Sequence, residues 1–197
     1  EATYPMAKVR YIDKNLPIDI TAEIFSPFIP LDEKNSSLPC TVYSFNIKNR
    51  SASAITVDVL GWLENKVAPR SAKEPDKRIN TVFSEKNTQG VFCSIGLNAN
   101  PGLSAAADYG SLSIASIGKQ AITQTNFSFP ITSSSFGQPI ADKTEKGIAD
   151  RLMASVCTSH QIAPNQTAST ETVISWHFVN LKLNKAIKDK GRYYNNW

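Results

Sequence analysis

The feature that most constrains the fold is a two-residue alternation of apolar and polar side chains, which recurs along most of the chain. It is clearest in residues 18–24, 41–48 and 55–59. Successive side chains of an extended chain point to opposite faces, so this pattern creates one apolar face and one polar face. The alternation therefore predicts half-buried antiparallel strands.

Other segments also favour strands. The candidates are residues 6–12, 81–84, 91–97, 111–116, 123–129, 152–160 and 171–183. The last candidate is apolar on both faces, which predicts a strand that is covered on both sides. About ten short strands separated by turn-forming residues predict an all-β fold, a two-sheet antiparallel β-sandwich with at most one short helix.

Three connections carry more specific expectations. The turn formers Asn49-Arg50-Ser51 predict a hairpin between the strands on either side. The charged, proline-containing residues 66–78 predict a long exposed loop. Residues 139–146 contain an Asp142/Lys146 pair at helical spacing, so one or two helical turns at most are expected there.

The character of the chain changes near Asn184. We expect residues 1–183 to form the β-sandwich domain and residues 184–197 to form a basic, aromatic connector toward a missing C-terminal domain. The rings of Tyr193, Tyr194 and Trp197 at the end of this connector should pack against something. The chain begins at Glu1 rather than Met, so we expect it to be processed or cut from a longer protein.

Composition and charge exclude several classes of protein. Hydrophobic residues make up 41% of the chain, which suffices for a packed core and excludes wholesale disorder. No apolar run approaches the roughly 18 residues that cross a membrane, so no transmembrane segment is predicted. The net charge is only +4, much of it in the last residues, so a nucleic-acid partner is not expected.

The three cysteines, Cys40, Cys93 and Cys157, each lie in an apolar stretch. Their odd number argues against a disulfide framework, and the absence of a CxxC motif argues against a structural zinc site. We therefore expect three free thiols that pack as small core side chains.

The sequence contains no recognisable catalytic or cofactor motif. Glycine-rich phosphate loops and the GxSxG nucleophile motif are both absent. Neither histidine has a companion at metal-ligating spacing; we expect His160 to be a surface residue and His177 to be a hydrogen-bonded strand residue. Most acids fall in loops and Asp58 lies on the polar face of a strand, so nothing marks a carboxylate pair. We predict no catalytic residue, no cofactor and no metal.

Residues 25–30 are more apolar than a free loop would be. Two rings, Phe25 and Phe28, alternate with Pro27 and Pro30 in a rigid extended stretch. Such a surface can belong to the core, to a partner surface or to a sugar-stacking platform. Core packing or a domain contact is the favoured interpretation.

These segments also carry a resemblance to a known family. The N-terminal signature consists of Ala2-Thr3-Tyr4-Pro5, Val9-Arg10-Tyr11, Leu16-Pro17-Ile18, residues 23–32, residues 35–39, Phe45, Asn49, Ser51 and Trp62. The C-terminal signature consists of residues 174–178 and 191–194. Together they span almost the whole chain, which resembles the N-terminal domain of glycoside hydrolase family 116, the family of non-lysosomal glucosylceramidase and its bacterial β-glucosidase relatives. One departure is Val179-Asn180, where the family often has Pro-Asn.

The resemblance implies a non-catalytic β-sandwich that packs against and supports a following (α/α)6 barrel of a retaining β-glycosidase. In that family the carboxylate pair and the glucose-binding residues lie in the barrel, which would bind a β-glucoside or glucosylceramide. No residue of this chain matches those motifs, so it is expected to have no activity of its own. The residues expected to face the barrel are Phe25, Pro27, Phe28, Pro30, Trp176, Tyr193, Tyr194 and Trp197.

Two other functions stay open at this stage. The first is a stand-alone carbohydrate-binding β-sandwich module, which solvent-exposed Trp or Tyr rings in a groove would favour. The second is a small hydrolase in its own right, which a buried carboxylate pair in a cleft would favour. For the location we expect a bacterial exported protein.

Overall fold

The chain folds into two antiparallel β-sheets, so the predicted all-β fold class is confirmed. The computed structural model describes residues 1–118, 120–132, 136–137, 141–180 and 194. Twelve strands, numbered β1 to β12 in chain order, span Ala2–Thr3, Met6–Tyr11, Ile18–Phe25, Cys40–Asn49, Ile55–Glu64, Lys77–Glu85, Thr88–Ile95, Ser111–Ile117, Ile122–Gln124, Lys143–Gly147, Met153–Ile162 and Thr167–His177. A four-residue α-helix, Glu33–Ser36, and a 3-10 helix, Pro101–Ala105, are the helical elements of the described ranges.

The two sheets differ greatly in width. The large sheet has nine strands in the order β1-β2-β3-β4-β12-β8-β7-β6-β10, and the small sheet has three in the order β5-β11-β9. The small sheet packs through β5 and β11 against β7, β8 and β12. One half of the large sheet, from β1 to β4, therefore extends beyond the small sheet.

The predicted hairpin at Asn49-Arg50-Ser51 is wrong, because β4 and β5 belong to different sheets. Buried Asn49 makes the crossing possible. Its side-chain amide donates to the carbonyls of Ser53 and Ile162, and its Oδ1 accepts from the backbone and hydroxyl of Ser51. These bonds direct the chain away from the large sheet and toward β11, which pairs with β5 along its whole length.

The predicted exposed loop at residues 66–78 is also wrong in part. Val67, Ala68, Asp76 and Arg78 of this segment are buried. The two apolar residues form a cluster with Ile95 and Leu103 at one end of the sandwich. The charges within the segment misled the prediction, because Arg78 is buried with its guanidinium donating to the carbonyls of Val67 and Ile148.

The helical turn expected within residues 139–146 is not formed where the chain is described. Instead β10, Lys143–Gly147, pairs antiparallel with β6 at the edge of the large sheet. Lys143 and Glu145 form an ion pair on one face of this strand at 2.6 Å. Pairing with a neighbouring strand therefore outweighed the weak local preference for a helix. Residues 138–140 lie outside the described ranges.

The core between the sheets is formed by Val91, Cys93, Ile114, Ala154 and Val156. His160, expected at the surface, is buried on β11, so that prediction is wrong. Its Nε2 lies 3.0 Å from the Thr158 hydroxyl on the same strand, and Thr158 in turn contacts the Thr170 hydroxyl of β12 at 3.0 Å. The sequence shows a polar residue near a strand end but not that this face of β11 packs against β12.

A buried amide network joins the other end of β5 to the large sheet. Asn65, which directly follows β5, donates to the side chain of Asn80 and to the carbonyls of Ile79 and Ser94. Its Oδ1 accepts the N–H of Val67, and Asn80 donates to the carbonyl of Thr125. The network joins the segment after β5 to β6 and β7 of the large sheet and to the loop that follows β9.

All three thiols are free, as predicted, with Cys93 and Cys157 buried and Cys40 half-buried. Burial raises the pKa of Cys93 to about 12. Burial, with a smaller contribution from the nearby Asp58 charge, raises the pKa of Cys157 to about 11. Burial also raises the pKa of Cys40. The thiols are therefore protonated at neutral pH and have little nucleophilic character.

Replacing Asn65 by Ala should strongly destabilise the fold. The change removes the donor for three acceptors on β6 and β7 of the large sheet and leaves the Val67 N–H without its acceptor, and each such group costs about 1–3 kcal/mol. We expect the free energy of unfolding in urea to fall by about 3 kcal/mol in total. The matched control is Asn98→Ala, at an exposed position, which should change stability by less than about 0.5 kcal/mol. Equal effects of the two changes would contradict the role given to the network.

Candidate domain interface

A long groove crosses the outer face of the large sheet, on the side away from the small sheet. Its volume is about 710 Å³. Residues of β4, β6, β7, β8 and β12 and of the segment before β4 line it, with apolar side chains and half-buried serines. The lining residues are Leu38, Pro39, Cys40, Phe83, Glu85, Phe92, Ser111, Leu112, Ser113, Val173, Ser175, Trp176 and His177.

The groove follows from the strand register. Ser175 lies directly opposite Ser113 and Cys40, and Ser113 lies opposite Phe92. Residues directly opposite each other in a sheet share a face. The small serine side chains, which hydrogen-bond to each other at 2.8 Å, therefore lie between larger apolar neighbours. The result is a depression with a narrow polar floor and apolar walls.

An apolar loop borders this groove. Phe25 at the end of β3 lies opposite Val42, which lies opposite Val173 of the groove, so all three share the outer face. The chain then leaves the sheet through residues 28–31, which are all exposed. Phe28, 45% exposed, contacts only the edge of the Tyr4 ring among the aromatic side chains of the described ranges. The loop therefore presents an apolar surface to the outside.

The loop is held in one conformation although its side chains are exposed. The Ser36 hydroxyl accepts the N–H of Ile29 and donates to its carbonyl, and the Asp32 N–H also donates to that carbonyl. Leu31 has a φ of 67° and a fully exposed side chain. A positive φ is unfavourable for leucine, and the rest of the described structure offers this side chain no compensating burial.

Tyr194, the residue that the structure describes beyond Asn180, lies at the end of the groove. The Tyr194 hydroxyl donates to the carbonyl of Phe178 at 2.9 Å and accepts its N–H at 3.0 Å. The ring of Tyr194 packs on that of His177, with centroids 5.6 Å apart. Trp176 is joined to the segment before β4, because its N–H donates to the Pro39 carbonyl. Tyr194 is therefore held against Phe178 and His177 at the end of the groove.

The described residues of the predicted interface thus lie around one groove. Phe25 and Pro27 are half-buried, and Phe28 and Pro30 are exposed, all in the apolar loop or at its base. Trp176 lines the groove, and half-buried Tyr194 lies at its end. Tyr193 and Trp197 lie outside the described residues, as does the rest of the predicted connector from residue 184. The division at residue 183 stays a prediction.

Several exposed apolar residues of this surface were not predicted. Phe92 lies on the more polar face of β7, together with Thr88, Gly90 and Ser94, and a large ring among such residues could have identified it. Leu38 and Tyr4 are single apolar residues beside prolines, without a distinguishing pattern. Leu31 could not be found from sequence, because its exposure depends on the hydrogen bonds that hold the loop.

The described titratable side chains that line the groove do not form a recognisable catalytic arrangement. Glu85 and exposed His177 lie on its lining, on β6 and β12. Asp58 is exposed on the small sheet, as expected, whereas Glu23 lies on the large sheet and pairs with Lys8 at 3.1 Å. In the described part of the chain, no group of three or more His, Cys, Asp or Glu side chains could hold a metal ion. None of the described helices is long and apolar enough to cross a membrane.

Comparisons with known proteins agree with the sequence resemblance. A family model described as "beta-glucosidase 2, glycosyl-hydrolase family 116 N-term" matches residues 1–197. No curated protein matches the chain. A solved structure named "Putative kojibiose phosphorylase from human microbiome" is similar over 87% of this chain, with 9% identity and a TM-score of 0.41. The chain covers 17% of the length of that protein.

Replacing Tyr194 by Phe should loosen the C-terminal contact without changing the ring that packs on His177. The change removes the acceptor of the Phe178 N–H, and such a hydrogen bond contributes about 1 kcal/mol. We expect amide hydrogen exchange at Phe178 to accelerate roughly fivefold. The Val91 amide in the core should be unaffected. An unchanged rate at Phe178 would mean that Tyr194 does not hold this part of the chain.

Proposed function

We propose that the chain is a non-catalytic β-sandwich module of a retaining β-glycosidase, because it belongs to the N-terminal domain family of glycosyl hydrolase family 116. Its role is to pack against the (α/α)6 catalytic barrel of the same protein and to hold that barrel in position. The barrel would bind the β-glucoside or glucosylceramide substrate and supply both catalytic carboxylates. This chain would contribute surface and stability rather than reacting groups.

The observation that carries this proposal is the continuous apolar surface formed by the groove and the apolar loop. Leu38 and Phe92 line the groove and are 48% and 43% exposed, and Phe28 in the neighbouring loop is 45% exposed. Contiguous exposed apolar surface is uncommon in a protein that acts alone and is typical of an interaction site. The fixed conformation of the loop lowers the entropy that would be lost on binding.

The outer face of β2 and β3 supports this assignment by contrast. Along it Lys8 pairs with Glu23, two residues before Phe25, and Arg50 pairs with Asp19 at 3.4 Å. These exposed ion pairs are typical of a surface that faces water. The change from charged to apolar side chains along one sheet face favours a partner that covers only the groove end.

Tyr194 adds a geometric argument. Its ring packs beside His177, which lines the end of the groove. A domain that follows in the same chain would therefore be tethered next to the apolar surface. A short tether gives a high effective concentration, so a contact of modest intrinsic affinity would be occupied.

The 197-residue chain alone should not hydrolyse an aryl β-glucoside. Glycoside hydrolysis needs an acid and a second carboxylate at a defined separation in a pocket that tunes the acid's pKa. The assay compares the unaltered chain with Asp58→Asn and Glu23→Gln variants. No turnover above background is expected from any of the three. Turnover that either substitution abolishes would show that the chain carries its own active site.

Replacing Leu31 by Asp tests the packing role in the full-length protein. Aspartate tolerates a positive φ better than leucine, so the isolated chain should keep its melting temperature. In the full-length protein a buried Leu31 would contribute about 2 kcal/mol, and its loss should lower the melting temperature by several degrees.

The matched control is Ile12→Asp, an equally apolar and exposed position outside the groove and the loop. It should leave both melting temperatures unchanged. If Leu31→Asp also left the full-length protein unchanged, the apolar loop would not be the docking surface.

A further inference from the structure

The longest sheet edge in the structure is left unpaired. Among the described strands, β5 pairs with β11 alone and has no strand on its other side. The strands at the other three ends of the two sheets are short or charged: β1 has two residues, β9 has three, and β10 has five with two lysines and a glutamate. By contrast, β5 has ten residues, with the sequence ITVDVLGWLE and neither proline nor lysine.

An open edge of this length is a binding surface in its own right. Its outward N–H and C=O groups can pair with any extended chain that reaches them. Natural sheets protect such edges with charges, prolines, bulges or covering segments, as the charged β10 illustrates. The central residues of β5, Val57 to Trp62, contain a single charge, Asp58.

An apolar groove of about 360 Å³ runs beside this open edge. One wall is formed by β5 residues, and the other by inward-facing side chains of the large sheet. The lining residues are Tyr43, Phe45, Val59, Leu60, Gly61, Trp62, Ile114, Thr172 and Ile174. Tyr43, Phe45 and Ile174 are half-buried, although they lie on the core face of their sheet. This face is thus incompletely covered next to β5.

The position of β5 explains the gap. Gly61 lies so close to β8 and β12 that an added Cβ would be 3.1 Å from Ile114 Cδ1 and 3.3 Å from Thr172 Cγ2. Hence β5 lies over β8 and β12, while β4, β3 and β2 extend past it. Neighbouring strands are about 4.8 Å apart, so these three strands project about 15 Å beyond the edge.

The projecting strands limit the shape of a molecule that can bind at this edge. A second copy of the chain cannot bring its small sheet to the edge face-to-face, since its own projecting strands would collide with these. A single extended segment can enter. Its backbone would pair with β5, and alternate side chains would cover Tyr43 and Phe45, as in strand addition to a sheet edge.

The charge near the edge determines which side chains a bound segment should carry. Asp58 is exposed on the outer face of β5, and no described residue forms an ion pair with it. A lysine or arginine on the outer face of an added strand would lie beside this carboxylate, and cross-strand pairs of opposite charge are favourable. We propose that the open edge of β5 and the groove next to it bind an extended peptide segment, apolar at alternate positions and basic opposite Asp58, by β-strand addition. This site stands independently of the docking surface on the other sheet face.

A defined peptide tests the proposal on the 197-residue chain. The probe is a fluorescent ten-residue peptide that alternates valine and threonine, with one lysine replacing a central threonine. Fluorescence anisotropy measures its affinity, and backbone amide NMR shifts locate it. We expect shifts centred on Ile55–Glu64 and on Tyr43 and Phe45. No binding at millimolar peptide, with the spectrum of the folded chain intact, would overturn the proposal.

Two N-methylated peptides provide the control for backbone pairing. Each carries N-methyl groups at alternate residues, so that one strand edge or the other can no longer donate hydrogen bonds. Methylation of the edge that faces β5 should weaken binding at least tenfold, whereas methylation of the other edge should not. Equal binding of both peptides would show adhesion of apolar side chains without strand addition, and would overturn the proposal.

Charge reversal at Asp58 provides the control for composition. Asp58→Lys changes an exposed side chain, so the fold should be retained. It should weaken the lysine peptide at least fivefold and strengthen a matched glutamate peptide. Unchanged affinities for both peptides would show that Asp58 does not recognise a basic residue, and would overturn the proposal as stated. Shifts around Trp62 produced by cello-oligosaccharides but not by the peptide would identify a carbohydrate site instead, and would overturn it.

Discussion

The structure depends on the crossing of β5 from one sheet to the other, which two buried asparagines hold at its ends. Asn49 ends β4 in the large sheet and binds the carbonyl of Ile162 in the small sheet at 3.0 Å. Asn65 follows β5 and binds Asn80 and Ser94 of the large sheet. Buried amides of this kind are expensive to leave unpaired, so they specify one path for the chain. If β5 instead formed a hairpin with β4, β11 would lose the strand that pairs with its whole length, and the small sheet would not form.

The same crossing determines which surfaces are open. Since the small sheet covers β7, β8 and β12, the core lies under one half of the large sheet. The outer face of that half is free to form the groove, which exposed Phe92 and half-buried Val173 line. The edge of β5 is left without a neighbour for the same reason. A sandwich whose sheets differ in width in this way is suited to a module that is completed by other parts of a protein.

Local pattern predicted most strands, because alternation depends only on neighbouring residues. It also identified the apolar loop, since Phe25 and Phe28 with two prolines are unusual in a loop. It failed where distant residues decide the outcome. The contact between Asn49 and Ile162 directs β5 to its partner strand. Packing against Ile95 and Leu103 buries Val67 and Ala68. The burial of His160 depends on hydroxyls of two strands. Sequence likewise could not show that Leu31 is exposed, because its φ is set by bonds between Ser36 and Ile29.

The most direct test of the docking role uses Cys40, a half-buried thiol that lines the groove. The rate of its alkylation by iodoacetamide is measured by peptide mapping in the 197-residue chain and in the full-length protein, with buried Cys93 as an internal control. A barrel packed on the groove should slow alkylation of Cys40 at least tenfold in the full-length protein and leave the slow reaction of Cys93 unchanged. Equal rates for Cys40 in the two proteins would show that the groove stays open to solvent and would contradict the account.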